Sequence, residues 1–157
     1  MIRPLFDYNW QVRADWMKWC EELPYEELVK PRFGGMKSIL HNLYHVVYCE
    51  HIWVSQLLGI DVNIQPIEKI RTLANIRAFE AITRERTLQW FEQETVFNDA
   101  VLDLRGRQFS HIKVMMHIAT HEVHHIGQLS VWSRELGLAP VNCDLLPRDV
   151  EFLDIEK

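Results

Sequence analysis

The sequence predicts an all-α chain, a four-helix bundle with a crossover connection. Three observations carry this expectation. Four segments place apolar residues at helical spacing, strand-like alternation is scarce, and one connection between helices is longer than a hairpin turn needs. The 157 residues are read as one domain, 1–157, a length typical of a single domain and sufficient to bury a real core.

The first helix is expected from about Leu5 to Leu23, just after Pro4. Phe6, Trp10, Met17 and Cys20 lie near one face, with Trp16, Trp19 and Leu23 beside it. Pro24, Pro31 and the Gly34-Gly35 pair then break the chain. The second helix is expected from about Met36 to Leu58, with Leu40, Leu43, Val47, Val54 and Leu58 as its apolar stripe and Gly59 as its cap. A polar loop follows from Asp61 to Pro66. The third helix is expected from roughly Thr72 to Glu94, and Leu73, Ile76, Phe79, Ala81, Ile82, Leu88, Trp90 and Phe91 form its apolar set. Segment 95–109 reads in two ways. Val101 and Leu104 around Arg105-Gly106-Arg107 suit a short hairpin, and the same length suits an irregular crossover. Ser110 is expected to cap a fourth helix that runs to Leu136 and stops at Gly137. Beyond it, Pro140 and Pro147 punctuate a tail that can dock on the helices.

Composition excludes several classes. Apolar residues make up 48% and charged residues 25%, the balance of a globular protein rather than a disordered one. Lys and Arg total 17 against 22 Asp and Glu, a net charge of −5, so nucleic acid is not expected as a partner. No run approaches the ~18 apolar residues of a membrane span. The opening Met-Ile-Arg-Pro-Leu-Phe-Asp-Tyr lacks the apolar stretch of a signal peptide. Cys20, Cys49 and Cys143 are odd in number and widely spaced, which suggests a reducing, cytoplasmic setting.

The histidines carry the chemical signal. Three of the eight fall in 41–51 and five in 111–125. His121 and His125 are four apart, so on a helix they project from one face, about 40° and one turn from each other. Val114, Ile118, Gln128, Trp132 and Leu136 share that side of the wheel, so the pair should face the core. Adjacent buried imidazoles resist double protonation, and a divalent metal resolves that conflict. His41 and His45 repeat the spacing on the second helix. Their face is mixed, with Ser38, Cys49, Ile52 and Gln56, and fits either a solvated surface or a ligand side. One His from that helix and two from the fourth would make a three-ligand site with an open position, the form of a catalytic centre. Cys49 offers a softer ligand, although a small core residue is the simpler reading.

His121-Glu122-Val123-His124-His125 also matches the H-E-x-x-H pattern of zinc hydrolases, in which the Glu activates water. The extended form of that motif fails, because Gly127 comes one position early and residue 131 is Val. Glu135 lies on the same helix and Glu151 lies in the tail.

His45-Val-Val-Tyr-Cys-Glu50-His-Ile-Trp53, followed by His121-x-x-His124-His125-x-Gly127-Gln128, resembles the DinB/YfiT-like family. Phe6-Asp-Tyr8-Asn-Trp10 and Phe33-Gly34-Gly35 extend the resemblance over essentially the whole chain. Where many members carry Arg before the Gly-Gln pair, this chain has Ile126. The resemblance implies a four-helix bundle, a homodimer and a three-histidine metal site at His45, His121 and His125. His41, His117 and His124 become pocket or structural residues. It further implies a metal-dependent S-transferase that activates a low-molecular-weight thiol for attack on a small electrophile. The alternatives are a non-catalytic metal-binding or stress-related bundle protein and a metal-dependent hydrolase. Zinc suits three imidazoles, as do nickel and iron. Tyr44, Tyr48, Trp53, Gln128 and Trp132 are candidate pocket residues, and Glu50 and Gln128 candidate partners for the ligands' second ring nitrogens.

Overall fold

The computed structural model describes residues 2–93 and 100–150. Helix α1 spans Arg3–Glu21 and begins two residues earlier than periodicity suggests, because Pro4 fits the first turn, where no N–H partner is needed. Pro24 then starts a short helix absent from the sequence expectation, α2 at Tyr25–Val29. Helix α3 covers Ile39–Leu58; Ser38 Oγ accepts the His41 N–H at its start. Gly59, at φ 67°, ends it in the left-handed region.

Thr72 and Asn75 form a reciprocal capping box at the start of α4, Leu73–Glu92. The expected last residue of that helix, Glu94, lies outside the described residues, as do 95–99 and the tail from Glu151. Of the two readings of 95–109, the hairpin is what forms over the described part. Strands β1 (Val101–Leu104) and β2 (Arg107–Ser110) pair antiparallel, Leu102 opposite Phe109. Arg105 and Gly106, at φ 54° and 79°, make the two-residue turn that matches strand twist. Ser110 Oγ accepts the Lys113 N–H and launches α5, His111–Glu135.

Helix α3 packs against α4 and α5, while α1 packs against α5 and α4. Two apolar clusters result. One gathers Trp16, Leu40, Leu43, Val47, Ile76, Phe79, Ile126 and Leu129; the other gathers Phe6, Trp10, Val54, Trp90, Met115 and Ile118. On each long helix at least one buried polar residue falls between the two. Arg13 lies between Trp10 and Trp16, Glu50 between Val47 and Val54, Thr83 and Thr87 between Phe79 and Trp90, and Glu122 between Ala119 and Ile126.

That polar layer is a closed ion-pair network. Arg13 is wholly buried, with Nη2 2.7 Å from Glu50 Oε2, Nε 2.8 Å from Glu122 Oε1 and Nη1 3.4 Å from Glu80 Oε1. Trp10 Nε1 and Thr87 Oγ1 donate to Glu50 as well. Burial pulls the Arg13 pKa down, but Glu122 and Glu50 override it and hold the group well above its ordinary value. Among the described residues no helix is long and apolar enough to cross a membrane.

Candidate metal centre

Helix α3 carries His45 and α5 carries His121 and His125. Packing of the two helices brings the three rings together, with a ligating atom from each within 4.8 Å of the others. Ring centroids lie 5.0, 4.6 and 4.5 Å apart for the pairs His45–His121, His45–His125 and His121–His125. His125 is buried, whereas His45 and His121 are half-exposed, so the cluster opens to solvent on one side.

The hydrogen bonds around His125 fix its tautomer. Asn42 Nδ2 donates to the His125 carbonyl at 2.9 Å, which turns Asn42 Oδ1 toward the ring. His125 Nδ1 lies 3.1 Å from that oxygen and 2.9 Å from Gln128 Oε1. Gln128 Nε2 faces His124 Nε2 at 3.2 Å, so the amide's oxygen is the end left for His125. Both oxygens are acceptors, so Nδ1 carries the proton and Nε2 keeps its lone pair. This is the outer support that metal-ligating histidines require.

His45 Nε2 and His121 Nε2 stand 3.4 Å apart. Two nitrogens on one tetrahedral cation, each ~2.0–2.1 Å from it, are separated by ~3.3 Å. His121 Nδ1 is buried with no hydrogen-bond partner. Burial lowers the pKa of all three rings. His121 is pushed to about 4 by desolvation and by its neighbours His125 and His45. His45 is lowered by desolvation and His125, and His125 by desolvation against the upward pull of Gln128. Three imidazoles with lowered pKa values therefore bring ring nitrogens into one space, and the donor set fits a divalent cation.

Gly35 presses against this support. A Cβ there would sit 2.5 Å from Gln128 Oε1 and 2.9 Å from both Asn42 Oδ1 and Trp132 Cη2. Trp132 Nε1 donates to the Phe33 carbonyl and pins the same loop. Neither Asn42 nor the role of Gly35 is evident from the sequence reading. The available signal was a buried-side Asn one turn before His45.

Several candidates fall elsewhere. Glu50 does not support a ligand; it is held by Arg13, Trp10 and Thr87 in the polar layer. Cys49 lies outside the cluster, and desolvation with the Glu122 and Glu50 carboxylates pushes its thiol up to about 12. Tyr44 gives its hydroxyl to the Gln65 carbonyl and stacks on Tyr48. Trp53 lies edge-on to His117, 5.8 Å between centroids, and His117 is 5.5 Å from His121. His41 is not in the cluster. The H-E-x-x-H glutamate is turned away: both Glu122 oxygens are taken by Arg13, and burial raises its carboxyl against that pull. A water-activating base at Glu122 does not fit this geometry.

Comparison with known proteins agrees in extent with these features. A protein of Bacillus subtilis (strain 168) described as "Uncharacterized protein YizA" is 36% identical over 155 residues, covering 93% of this chain and 94% of that protein. The sequence profile of the DinB family matches residues 1–151. The chain belongs to the DinB family.

Proposed function

We propose that His45, His121 and His125 bind one divalent cation, zinc foremost with nickel or iron as alternatives, and that the chain is a metal-dependent thiol S-transferase. The observation that carries this reading is the convergence of three neutral imidazoles on a half-open site, one of them locked by Asn42 and Gln128. Three neutral ligands leave the charge of a cation intact and a coordination position free. When bound, the cation supplies the charge that turns a thiol into its thiolate at neutral pH. Among the described residues no cysteine joins the cluster and Cys49, one turn from His45, is held protonated, so in this reading the thiol comes from solution.

In the proposed reaction the thiol gives its proton to solvent. Its sulfur forms a bond to the electrophilic carbon, and the leaving group departs with its electron pair. Asn42 and Gln128 orient His125, and the half-buried walls limit competing water. The same reading makes residues 1–157 one domain, a four-helix bundle with a crossover connection. Its support is that α1 packs more closely against α5 and α4 than against α3, the helix after the short α2. It also takes the chain as a cytoplasmic homodimer. The exposed apolar residues Met116, Val123 and Val131 along α5 support a face for a second copy.

The test is metal content of wild type, His45→Ala and His121→Ala, followed by consumption of glutathione or cysteine with 1-chloro-2,4-dinitrobenzene. About one metal per chain in wild type, lost in both variants, and metal-dependent thioether formation are expected. Metal binding without turnover makes the chain a non-catalytic metal-binding protein. Absence of metal after incubation with zinc, nickel and iron(II) overturns the site itself.

A further inference from the structure

We propose a second binding site, beside the histidine cluster, that takes the apolar body of a small organic anion. It is the cavity of about 250 Å³ beneath the hairpin, walled by Trp53 of α3, Leu104 and Phe109 of the hairpin, and Lys113, Val114 and His117 of α5. That its occupant is the electrophile rests on the transferase reading; the binding itself does not.

The walls are almost wholly apolar, and such a lining favours an apolar guest over water. Its volume suits one fused aromatic ring system or a short branched chain. The rim is cationic. Lys113 Nζ lies 5.6 Å from the Phe109 ring centroid and the Arg107 guanidinium 5.5 Å from it, and among the described residues no carboxylate lines the cavity. Lys113 and Arg107 are exposed, so both can turn toward an anionic group at the mouth. The wall nearest the histidine cluster is His117, itself exposed, whose ring contacts Trp53 on one side and His121 on the other. A guest is therefore one imidazole away from the candidate metal ligands. Apolar floor, cationic rim and adjacency to the cluster together select an amphipathic anion over a neutral hydrocarbon or a cation.

The test is calorimetric titration with 2-naphthoate and with its neutral isostere 2-naphthamide, on wild type, Leu104→Trp, Lys113→Glu and His125→Ala. One 2-naphthoate per chain is expected in wild type, with no measurable binding once Leu104→Trp fills the cavity. Lys113→Glu should weaken 2-naphthoate about fivefold and leave 2-naphthamide unchanged. Lys113 is exposed, so this variant keeps the fold even if Leu104→Trp does not. His125→Ala should bind 2-naphthoate as wild type does. Loss of binding in His125→Ala would put the carboxylate on the metal instead and overturn the proposal. So would undiminished binding in a folded Leu104→Trp, or equal effects of Lys113→Glu on both probes. A wild type that binds 2-naphthoate in the cavity but holds no metal defeats the transferase reading and leaves this site standing.

Discussion

Arg13 and Glu122 meet in two parallel hydrogen bonds inside the core, Nε to Oε1 at 2.8 Å and Nη2 to Oε2 at 2.5 Å. The same guanidinium reaches Glu50, so one buried cation ties α1 to both helices that carry the histidines. Arg13→Met would strand two buried carboxylates, and breaking a buried pair from one side costs about 3–5 kcal/mol. Urea unfolding should show that loss as a lower midpoint. Glu122→Gln is milder, about 1–3 kcal/mol, because an amide keeps one acceptor for Arg13. It should retain its metal and any thiol turnover. A folded Glu122→Gln protein without turnover would return Glu122 to the chemistry and revive the hydrolase reading.

Gly35 and Gly34 make a matched pair. Both have positive φ, so alanine at either strains the backbone by about 1 kcal/mol. Only at Gly35 does the new methyl collide, with Gln128, Asn42 and Trp132; at Gly34 nothing lies within 4 Å. Gly35→Ala should therefore displace the two amides that hold His125 and weaken metal affinity about 10- to 100-fold. Gly34→Ala should lose only stability. Competition with a chromogenic chelator separates the two effects. Asn42→Leu should reproduce the affinity loss of Gly35→Ala, since it removes one of the same hydrogen bonds. Equal affinities in all three variants and wild type would mean that the His125 support does not tune the site.

What the sequence made legible was local. The long helices follow from apolar spacing and, for α5, from the Ser110 cap, which acts within one turn; the caps at Ser38 and Thr72 appear only in the structure. The pairing of His121 with His125 is a property of one helix, and their inward face follows from the same wheel. The partners of the polar layer were not legible, because Arg13 and Glu122 are 109 residues apart and nothing in either segment announces the other. Glu50 shows an avoidable error. Five residues at about 100° each turn it about 140° from His45, toward α1 rather than the cluster. Asn42 and Gly35 act only through a loop folded against α5, so their roles appear once tertiary packing is known.

His51 should make stability pH-dependent. It is wholly buried on α3, with Nδ1 3.0 Å from Thr83 Oγ1 and Nε2 3.3 Å from Arg86 Nη1. Arg86 can only donate, so His51 is neutral and its Nδ1–H faces Thr83, whose hydroxyl donates onward to the Phe79 carbonyl. Desolvation first, then Arg86, pushes its pKa to about 4, against an opposing pull from Glu50. The unfolded chain titrates near 6.5, so between these values it binds more protons than the folded chain. Stability from this group is complete above about pH 6.5 and drains away as pH falls toward 4. Melting temperatures across pH 4–7 should fall on the acid side less steeply in His51→Gln than in wild type. Parallel curves would show that His51 does not contribute to the acid sensitivity.

Removing metal should separate His124 from His125, adjacent residues with opposite surroundings. His125 is buried against Asn42 and Gln128, while His124 is exposed, meets the outer end of Gln128 and lies edge-on to the His125 ring. A cation that binds the folded chain alone stabilises it by RT ln(1 + [L]/Kd), about 4 kcal/mol at a thousandfold excess over Kd. Chelator should therefore lower the melting temperature of wild type by several degrees and that of His124→Ala nearly as much. In His45→Ala, His121→Ala and His125→Ala it should have no effect, because there is no bound cation to withdraw. Without metal, wild type retains the unpartnered Nδ1 of His121 and three crowded neutral rings. His121→Ala relieves both, so chelated wild type should melt no higher than that variant if the cluster is poised for a cation. A chelator shift that survives in His121→Ala would place the metal elsewhere on the chain.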